Sequence, residues 1–176
     1  GGNSHSPVTE VSTIDRIDYS NDTATASPKG PLSSARGYGP NATGNSSFGY
    51  FAGGGGSPTK STVDRVDYSN DTATAPAKGP LSVASRRMGS TGNSSFGYFA
   101  GGETPDAAVV GRIDYNNDTA TASPKGPLGV ARGNLAASSS QANAITTPTI
   151  FPASTVRDNV APQGTDFGYF GGGHPG

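Results

Sequence analysis

The sequence has 176 residues, a formal net charge of −1 from 12 basic and 13 acidic side chains, and no Cys or Trp. This balance gives no electrostatic reason to expect nucleic acid or an anionic membrane as a partner, and no apolar run approaches the ~20 residues of a membrane span. The lack of Cys excludes disulfides and thiolate metal sites. Leu, Ile, Val and Phe make up only 26 residues, so we expect a thin core that neighbouring units or copies must complete.

One sequence unit occurs three times. Each copy opens on Ile-Asp-Tyr or Val-Asp-Tyr, continues through Asn-Asp-Thr-Ala-Thr-Ala and Lys-Gly-Pro-Leu, and closes on Phe-Gly-Tyr-Phe followed by glycines. The opening tyrosines are 49 and 47 residues apart. This period predicts tandem repeats, which we place at residues 1–52 (first copy), 53–100 (second copy) and 101–176 (third copy). The signature positions, which we interpret as structural, are Asp18, Tyr19, Phe48 and Tyr50, then Asp67, Tyr68, Phe96 and Tyr98, then Asp114, Tyr115, Phe167 and Tyr169.

The third copy is longer than the other two. Its Arg132 lies 35 residues before Phe167, whereas Arg36 lies 12 residues before Phe48. We therefore predict an insertion of roughly two dozen residues within the range of about residues 133–166, whose Ala, Ser, Thr and Pro content is typical of an exposed loop. Gly1-Gly2 matches the glycines that end each copy, which favours an origin in a longer array.

The repeated segments read as short strands joined by turns. Residues 13–19 alternate, with Ile17 and Tyr19 on one face, and the Asn-Asp pair that follows is typical of a turn. We predict a second strand over residues 23–26, ended by Pro28 because proline cannot donate to a ladder, and a closing strand that begins at Phe48. Because no window shows helical spacing, we predict an all-β fold.

The order of these segments resembles the Kelch repeat. Ile17-Asp18-Tyr19, the Asn-Asp-Thr turn, Pro31-Leu32 and the aromatic strand ending in Gly-Gly follow the family's order, although this chain lacks the family's tryptophan. The resemblance implies propeller blades of about 48 residues. Three are too few for a closed propeller, which needs 4–8 blades, so closure would require oligomerisation or further repeats. A three-sided β prism is the alternative architecture.

Few side chains suit catalysis or metal binding. The two histidines, His5 and His174, lie in the terminal segments, outside the repeated motifs, whereas a hydrolytic triad or a histidine metal site needs a His held near its partners. Asp15, Asp18 and Asp22 recur near one turn, but their spacing does not follow a calcium loop. We expect no enzyme activity, no catalytic residues, no metal and no cofactor. The simpler role for Asp18 and its counterparts is to accept bonds from turn amides or to pair with the neighbouring arginine.

A repeated arginine is the candidate for ligand binding. Arg36, Arg132 and one of Arg86 or Arg87 follow the Pro-Leu pair, and we select Arg87 in the second copy. Such an arginine can bind a carboxylated sugar or a phosphate. Alternatively it braces loop carbonyls or an Asp of a neighbouring unit, which is the role we favour. Phe48, Tyr50 and their counterparts can form stacking platforms, but in a chain this poor in aliphatic residues we expect them to form the core.

A closer resemblance is to Kelch-like arrays in virion structural proteins of marine cyanobacterial viruses. Segments similar to residues 61–75 and 92–99 alternate in those arrays. The resemblance implies a fibre, tail or capsid appendage on the exposed particle surface, with other copies of the chain, other virion proteins or a host-surface glycan as partners. A carbohydrate-binding propeller, acting as an extracellular lectin or cell-surface adhesin, is the alternative.

Overall fold

The computed structural model describes residues 1–4, 9–55, 57–103, 107–139 and 167–174. In this part the chain is all-β, as predicted from the sequence, with two short 3-10 turns at Tyr68–Asn70 and Tyr115–Asn117. The strands in chain order are β1 Gly2–Asn3, β2 Glu10–Val11, β3 Asp15–Arg16, β4 Ser27–Pro28, β5 Asn41–Gly44, β6 Phe48–Ala52, β7 Val63–Asp67, β8 Gly89–Gly92, β9 Phe96–Ala100, β10 Val110–Asp114, β11 Ser123–Lys125, β12 Gly133–Ser139 and β13 Gly168–His174.

These strands form several small antiparallel sheets, and the described residues show no closed barrel. One sheet has the order β5-β6-β7 and another the order β11-β10-β9-β8, while β1-β2, β3-β4 and β12-β13 are pairs. The two larger sheets each combine strands from successive copies. The closing strand of one copy, β6 or β9, pairs with the opening strand of the next, β7 or β10.

The same register holds at both of these pairings. Tyr50 lies opposite Arg65 in the β6-β7 ladder, and Tyr98 lies opposite Arg112 in the β9-β10 ladder. In the described part of the chain, the opening strand of the first copy, β3, pairs only with β4, and the closing strand of the third copy, β13, pairs only with β12. We call the contact between one copy and the next, centred on the pairing of a closing strand with the following opening strand, a joint. Two joints are complete inside the chain, and each end of the chain carries one unpaired half of a joint.

The strand predicted over residues 23–26 is wrong. The chain is still turning there, because the amide of Ala24 donates to the carbonyl of Asn21. The strand begins later, at Ser27, and includes Pro28, which lies opposite Asp15. Proline is tolerated because β4 pairs on one side only among the described strands, so its missing amide breaks no ladder bond.

The first residues of the range predicted to contain the insertion form a strand. Residues 133–139 form β12, which pairs with β13 through contacts such as Leu135 opposite Gly172. This strand corresponds to β5 and β8, which pair with the closing strands of the first and second copies. The alternating burial of Gly133 and Leu135 against Asn134 and Ala136 marks it as a half-buried strand. The remainder of the range, residues 140–166, lies outside the described residues.

The core lies between the two larger sheets and contains few aliphatic side chains. Its buried members are Tyr50, Ala52, Val63, Leu81, Met88, Phe99, Ile113, Tyr115 and Ala122, with Phe48 packed against them. The rings of Tyr50 and Tyr115 stack, with centroids 4.7 Å apart and an interplanar angle of 11°. Aromatic residues from all three copies thus contribute the surface that the scarce aliphatic residues do not supply.

Candidate functional site: the joints between copies

The most deeply buried charge joins the first copy to the second. Nη2 of Arg36 lies 2.5 Å from Oδ2 of Asp64, and both side chains are fully buried. Nη1 of the same guanidinium donates to the carbonyls of Thr62 and Phe51 at 3.0 and 3.4 Å. Ser33 donates to Asp64 from its amide and its hydroxyl, at 3.0 and 2.6 Å. Burial lowers the pKa of Arg36, and the Asp64 carboxylate opposes this shift.

Spacing from the Pro-Leu pair identifies the residues equivalent to Arg36. The fourth residue after the leucine is Arg36, Ser85 or Arg132. The carbonyl of each accepts a bond from a glycine amide, that of Gly2, Gly54 or Gly102, at 2.8 to 3.0 Å. The second-copy counterpart is therefore Ser85, and neither Arg86 nor Arg87 matches. Arg87 instead lies 2.7 Å from Glu103.

Both partners of the buried ion pair change together at the next joint. Phe51 lies opposite Asp64 in its ladder, and Phe99 lies opposite Gly111 at the same register. The joint between the second and third copies thus has Ser85 and Gly111 where the preceding joint has Arg36 and Asp64. Loss of the cation together with loss of the anion leaves no uncompensated buried charge.

At the ends of the chain, the same positions carry opposite charges. Nη2 of Arg132 donates to the carbonyl of Phe170 at 3.3 Å, and within the described residues it meets no carboxylate. Asp15 occupies the register position of Asp64 in the first copy and is exposed. The third copy therefore has the arginine of this joint, and the first copy has the aspartate.

A second charged joint centres on the aspartate of the Asn-Asp-Thr segment. Asp118 lies 2.7 Å from Arg65 and 3.5 Å from Lys78, and it accepts a hydrogen bond of 3.0 Å from the hydroxyl of Tyr50. Burial raises the pKa of Tyr50, and the negative charge of Asp118 raises it further. Charge-assisted bonds of this kind are stronger than neutral ones.

Asp71 repeats this arrangement one copy earlier. It lies 2.7 Å from Arg16 and 3.5 Å from Lys29. Arg65 also lies over the ring of Phe48 at 4.4 Å, and Arg112 lies over Phe96 at 4.3 Å. The arginines of the second and third opening strands are thus positioned by an aromatic ring of the preceding closing strand.

Glycine permits the closest approach between copies. The amide of Gly30 donates to the carbonyl of Asp71, and that of Gly79 to the carbonyl of Asp118, both at 2.8 Å. A Cβ on either glycine would lie 1.9 Å from a carbonyl oxygen of the next copy, that of Ala73 or Ala120. A Cβ on Gly126, the third member of this set, would meet no atom of the described residues within 4 Å.

The remaining sequence candidates have local roles. Asp18, Asp67 and Asp114 accept 2.9 Å bonds from amides two residues later and so begin the turns, while the neighbouring Arg16 and Arg65 pair with Asp71 and Asp118. The carboxyls of Asp18 and Asp67 have lowered pKa values because serine hydroxyls and amides donate to them.

The histidines and carboxylates form no metal centre in the described residues. His174 lies 2.9 Å from Asn134, and His5 falls outside the described part. Among the described residues no group of three or more His, Asp or Glu side chains is arranged to hold a metal ion. The same residues include no helix long and apolar enough to cross a membrane.

Sequence reasoning missed most members of these joints. Asp71, Asp118 and the Lys-Gly glycines recur in all three copies, whereas Asp64 has a counterpart in Asp15 and is replaced by Gly111 in the third copy. The signal was the matching of an opening-strand Arg, an Asn-Asp aspartate and a Lys-Gly lysine in every copy. Comparison of the sequence with protein-family models and with curated proteins gives no match.

Proposed function

We propose that the chain is a structural, non-enzymatic β-repeat module whose repeated residues join one copy to the next. The observation that carries this proposal is the position of Arg36. The side chain best suited to bind an anionic ligand is fully buried, and its donors go to Asp64 and to two carbonyls beside the following opening strand. The repeated aromatic residue Tyr50 is likewise buried within a joint. Such residues stabilise an array and leave little to present to a small molecule.

The proposed architecture is a set of Kelch-like blades in an open array. The sheet β8-β9-β10-β11 supports it, because four antiparallel strands adjacent in sequence are adjacent in space, as in a propeller blade. The proposed setting is the exposed surface of a virus particle, as a fibre, tail or capsid appendage, and it rests on the resemblance to Kelch-like virion arrays. Rigid repeats would present loops there, with the inserted segment as the host-surface contact.

A carbohydrate-binding propeller is the alternative function, and the side chains give it less support. Arg36 has no exposed donor, and Arg87 pairs with Glu103. Arg132 meets no carboxylate among the described residues and donates there to the carbonyl of Phe170, so part of its guanidinium is left for another partner.

Glycan binding and particle location test the proposal. We expect the purified chain to bind no member of a glycan array, and immunogold labelling to find it on purified particles of the virus that encodes it. Binding of one glycan class that is lost in Arg132→Ala and kept in Arg36→Lys would favour the lectin. Detection of the chain only in the soluble fraction of infected cells would refute a structural role on the particle.

A further inference from the structure

Two surfaces at opposite ends of the chain carry the two halves of the same joint. We call the surface formed by Asp15, Ile17, Tyr19 and Asp22 the front face, and that formed by Tyr98, Arg112, Lys125, Arg132 and Tyr169 the back face. Inside the chain, residues equivalent to these contact each other and are buried or partly buried. At the ends they are exposed: Tyr19 is 93% exposed against 9% for its counterpart Tyr115, and Tyr169 is 62% exposed against 0% for Tyr50.

We propose that the front face of one molecule of this chain (the first molecule) binds the back face of another (the second molecule), head to tail, through a β13-β3 ladder. The two internal joints define its geometry. Each pairs a closing strand antiparallel to the following opening strand, with the closing-strand tyrosine opposite an arginine. The same register places Tyr169 of the second molecule opposite Arg16 of the first, and Phe170 of the second molecule opposite Asp15 of the first. Pairing along strand edges supplies main-chain bonds, and the side chains select the register.

A cleft beside β3 of the first molecule can accept Tyr169 of the second molecule. This cleft, about 700 Å³ in volume, is lined by Arg16, Lys29, Tyr68 and Asp71 among others. Their counterparts Arg65, Lys78, Tyr115 and Asp118 surround Tyr50 in the complete joint. The ion pairs of Asp71 with Arg16 and Lys29 are already formed. The hydroxyl of Tyr169 would therefore donate to Asp71, and its ring would stack on Tyr68.

A second cleft, on the back face, accepts the tyrosine of the front face. It has a volume of about 390 Å³, and its lining includes Thr91, Tyr98, Lys125 and Gly168. In the complete joint the hydroxyl of Tyr115 lies 3.3 Å from that of Thr43, its ring stacks on Tyr50, and its hydroxyl lies close to Gly97. Thr91, Tyr98 and Gly168 are the corresponding residues one copy later. Tyr19 of the first molecule fits this cleft.

The charges of the two faces are complementary. Asp22 corresponds to Asp118, and its expected partners Arg112 and Lys125 correspond to Arg65 and Lys78, which hold that aspartate. Asp15 and Arg132 correspond to the buried pair Asp64 and Arg36. Among the described residues Asp15, Asp22, Arg112 and Lys125 make no ion pair within the chain. Head-to-tail docking joins the acidic group of one face to the basic group of the other, whereas face-to-face pairing of like ends would oppose like charges.

Gly126 gives an independent argument for the same partner. Gly30 and Gly79 need to lack a side chain because the Ala73 and Ala120 carbonyls approach them, whereas no described residue lies within 4 Å of a Cβ placed on Gly126. In the proposed joint the Asn-Asp-Thr segment at residues 21–23 of the first molecule covers Gly126 of the second molecule. The open space above it is thus the place for that segment.

Docking requires one local displacement. In the first molecule, Gly1–Asn3 occupies the place that Gly172–His174 of the second molecule would take. The amide of Gly53, which follows a closing strand, donates to the carbonyl of Thr62, and the amino group of Gly1 makes the equivalent bond to Thr13. The short β1-β2 ladder must therefore open. Deletion of residues 1–3 should tighten association. Heterologous contacts of this type generate rings or filaments, according to the rotation between copies.

Two exposed substitutions test the geometry by complementation. Tyr19→Ser alters only the front face and Tyr169→Ser only the back face. Sedimentation velocity across a dilution series should show concentration-dependent association of the unaltered chain, and each variant alone should raise the dissociation constant at least about tenfold. An equimolar mixture of the two variants should recover dimers, because one variant keeps an intact back face and the other an intact front face.

The outcomes separate this inference from the proposed function, which it deepens. An unaltered chain that stays monomeric at high concentration, or a mixture of weakened variants that stays monomeric, overturns head-to-tail docking. Association that survives both substitutions overturns it too. None of these results affects a structural role on a particle, which labelling and the glycan array test separately. The circular dichroism spectrum of each variant should match that of the unaltered chain, because both tyrosines are exposed.

Discussion

The guanidinium of Arg36 and the carboxylate of Asp64, 28 residues apart in sequence, form an ion pair in which neither side chain has solvent exposure. A buried pair is strong evidence for a specific arrangement and weaker evidence for stability, because desolvation of both ions offsets their attraction. The chain itself contains the uncharged version of this joint, in Ser85 and Gly111. Converting the charged joint into the uncharged one therefore distinguishes two effects on the unfolding free energy: the cost of leaving one buried charge unpaired, and the net contribution of the ion pair.

The first prediction concerns variants in which the residues of the uncharged joint replace Arg36 and Asp64. Arg36→Ser or Asp64→Gly alone should lower the free energy of unfolding by about 3–5 kcal/mol, because each leaves an uncompensated buried charge. The double variant Arg36→Ser with Asp64→Gly should lose clearly less than the sum of the single losses, because no unpaired charge remains. Urea denaturation of the four proteins measures this. Additive losses would mean that the two side chains do not depend on each other.

The second prediction compares three glycines of identical sequence context. Gly79→Ala should destabilise the chain by about 2–3 kcal/mol, because the new Cβ meets a backbone oxygen that cannot rotate away. Gly30→Ala should behave alike. Gly126→Ala is the matched control and should leave the unfolding free energy of the monomer unchanged, since its Cβ enters open space. It should still block association, and an associating Gly126→Ala chain would contradict the proposed docking.

The all-β class could be predicted because it depends on local pattern. Alternation around Ile17 and Tyr19 and the turn chemistry of the Asn-Asp pair act over a few residues. Strand β12 was missed because Leu135 is its only large apolar residue in a stretch of Ala and Ser. The strand assigned to residues 23–26 was wrong because the turn bond from Ala24 to Asn21 continues one step further than the Asn-Asp pair suggests.

The joints could not be derived from local pattern. Arg16 reaches Asp71 across 55 residues, and Arg65 reaches Asp118 across 53. Such contacts follow from the stacking of one copy on the next, and no single copy contains them. Arg87 matches Arg36 in residue type and not in spacing, because the fourth residue after Leu81 is Ser85.

The third prediction tests the tyrosine of the second charged joint. Tyr50→Phe should lower the unfolding free energy by about 1–2 kcal/mol, because the change removes the hydroxyl that donates to buried Asp118 and keeps the stacked ring. Tyr169→Phe is the matched control, and thermal unfolding of the dilute monomer should show no change for it. An equal loss in both variants would mean that the Asp118 bond contributes nothing specific.

The fourth prediction concerns alkaline pH. Burial raises the pKa of Tyr115 from its usual 10.0 to about 12, partly offset by its hydrogen bond to Thr43. A folded-state pKa above the unfolded value means that the contribution of the neutral hydroxyl to stability is complete below pH 10 and is lost as the pH rises from 10 toward 12. A shift of that size corresponds to about 3 kcal/mol.

Denaturation curves between pH 8 and pH 12 measure this effect. The unaltered chain should lose stability steeply over the upper part of the range, and Tyr115→Phe should show a flatter dependence because it has no proton to lose at that position. Tyr19→Phe is the control, since the exposed ring contributes no buried hydroxyl, and it should follow the unaltered chain. Tyr50 and Tyr68, whose pKa values burial also raises, should leave a residual slope in Tyr115→Phe, and the double variant Tyr50→Phe with Tyr115→Phe should have a flatter dependence still. A slope that is the same in all four proteins would show that alkaline unfolding begins elsewhere in the chain.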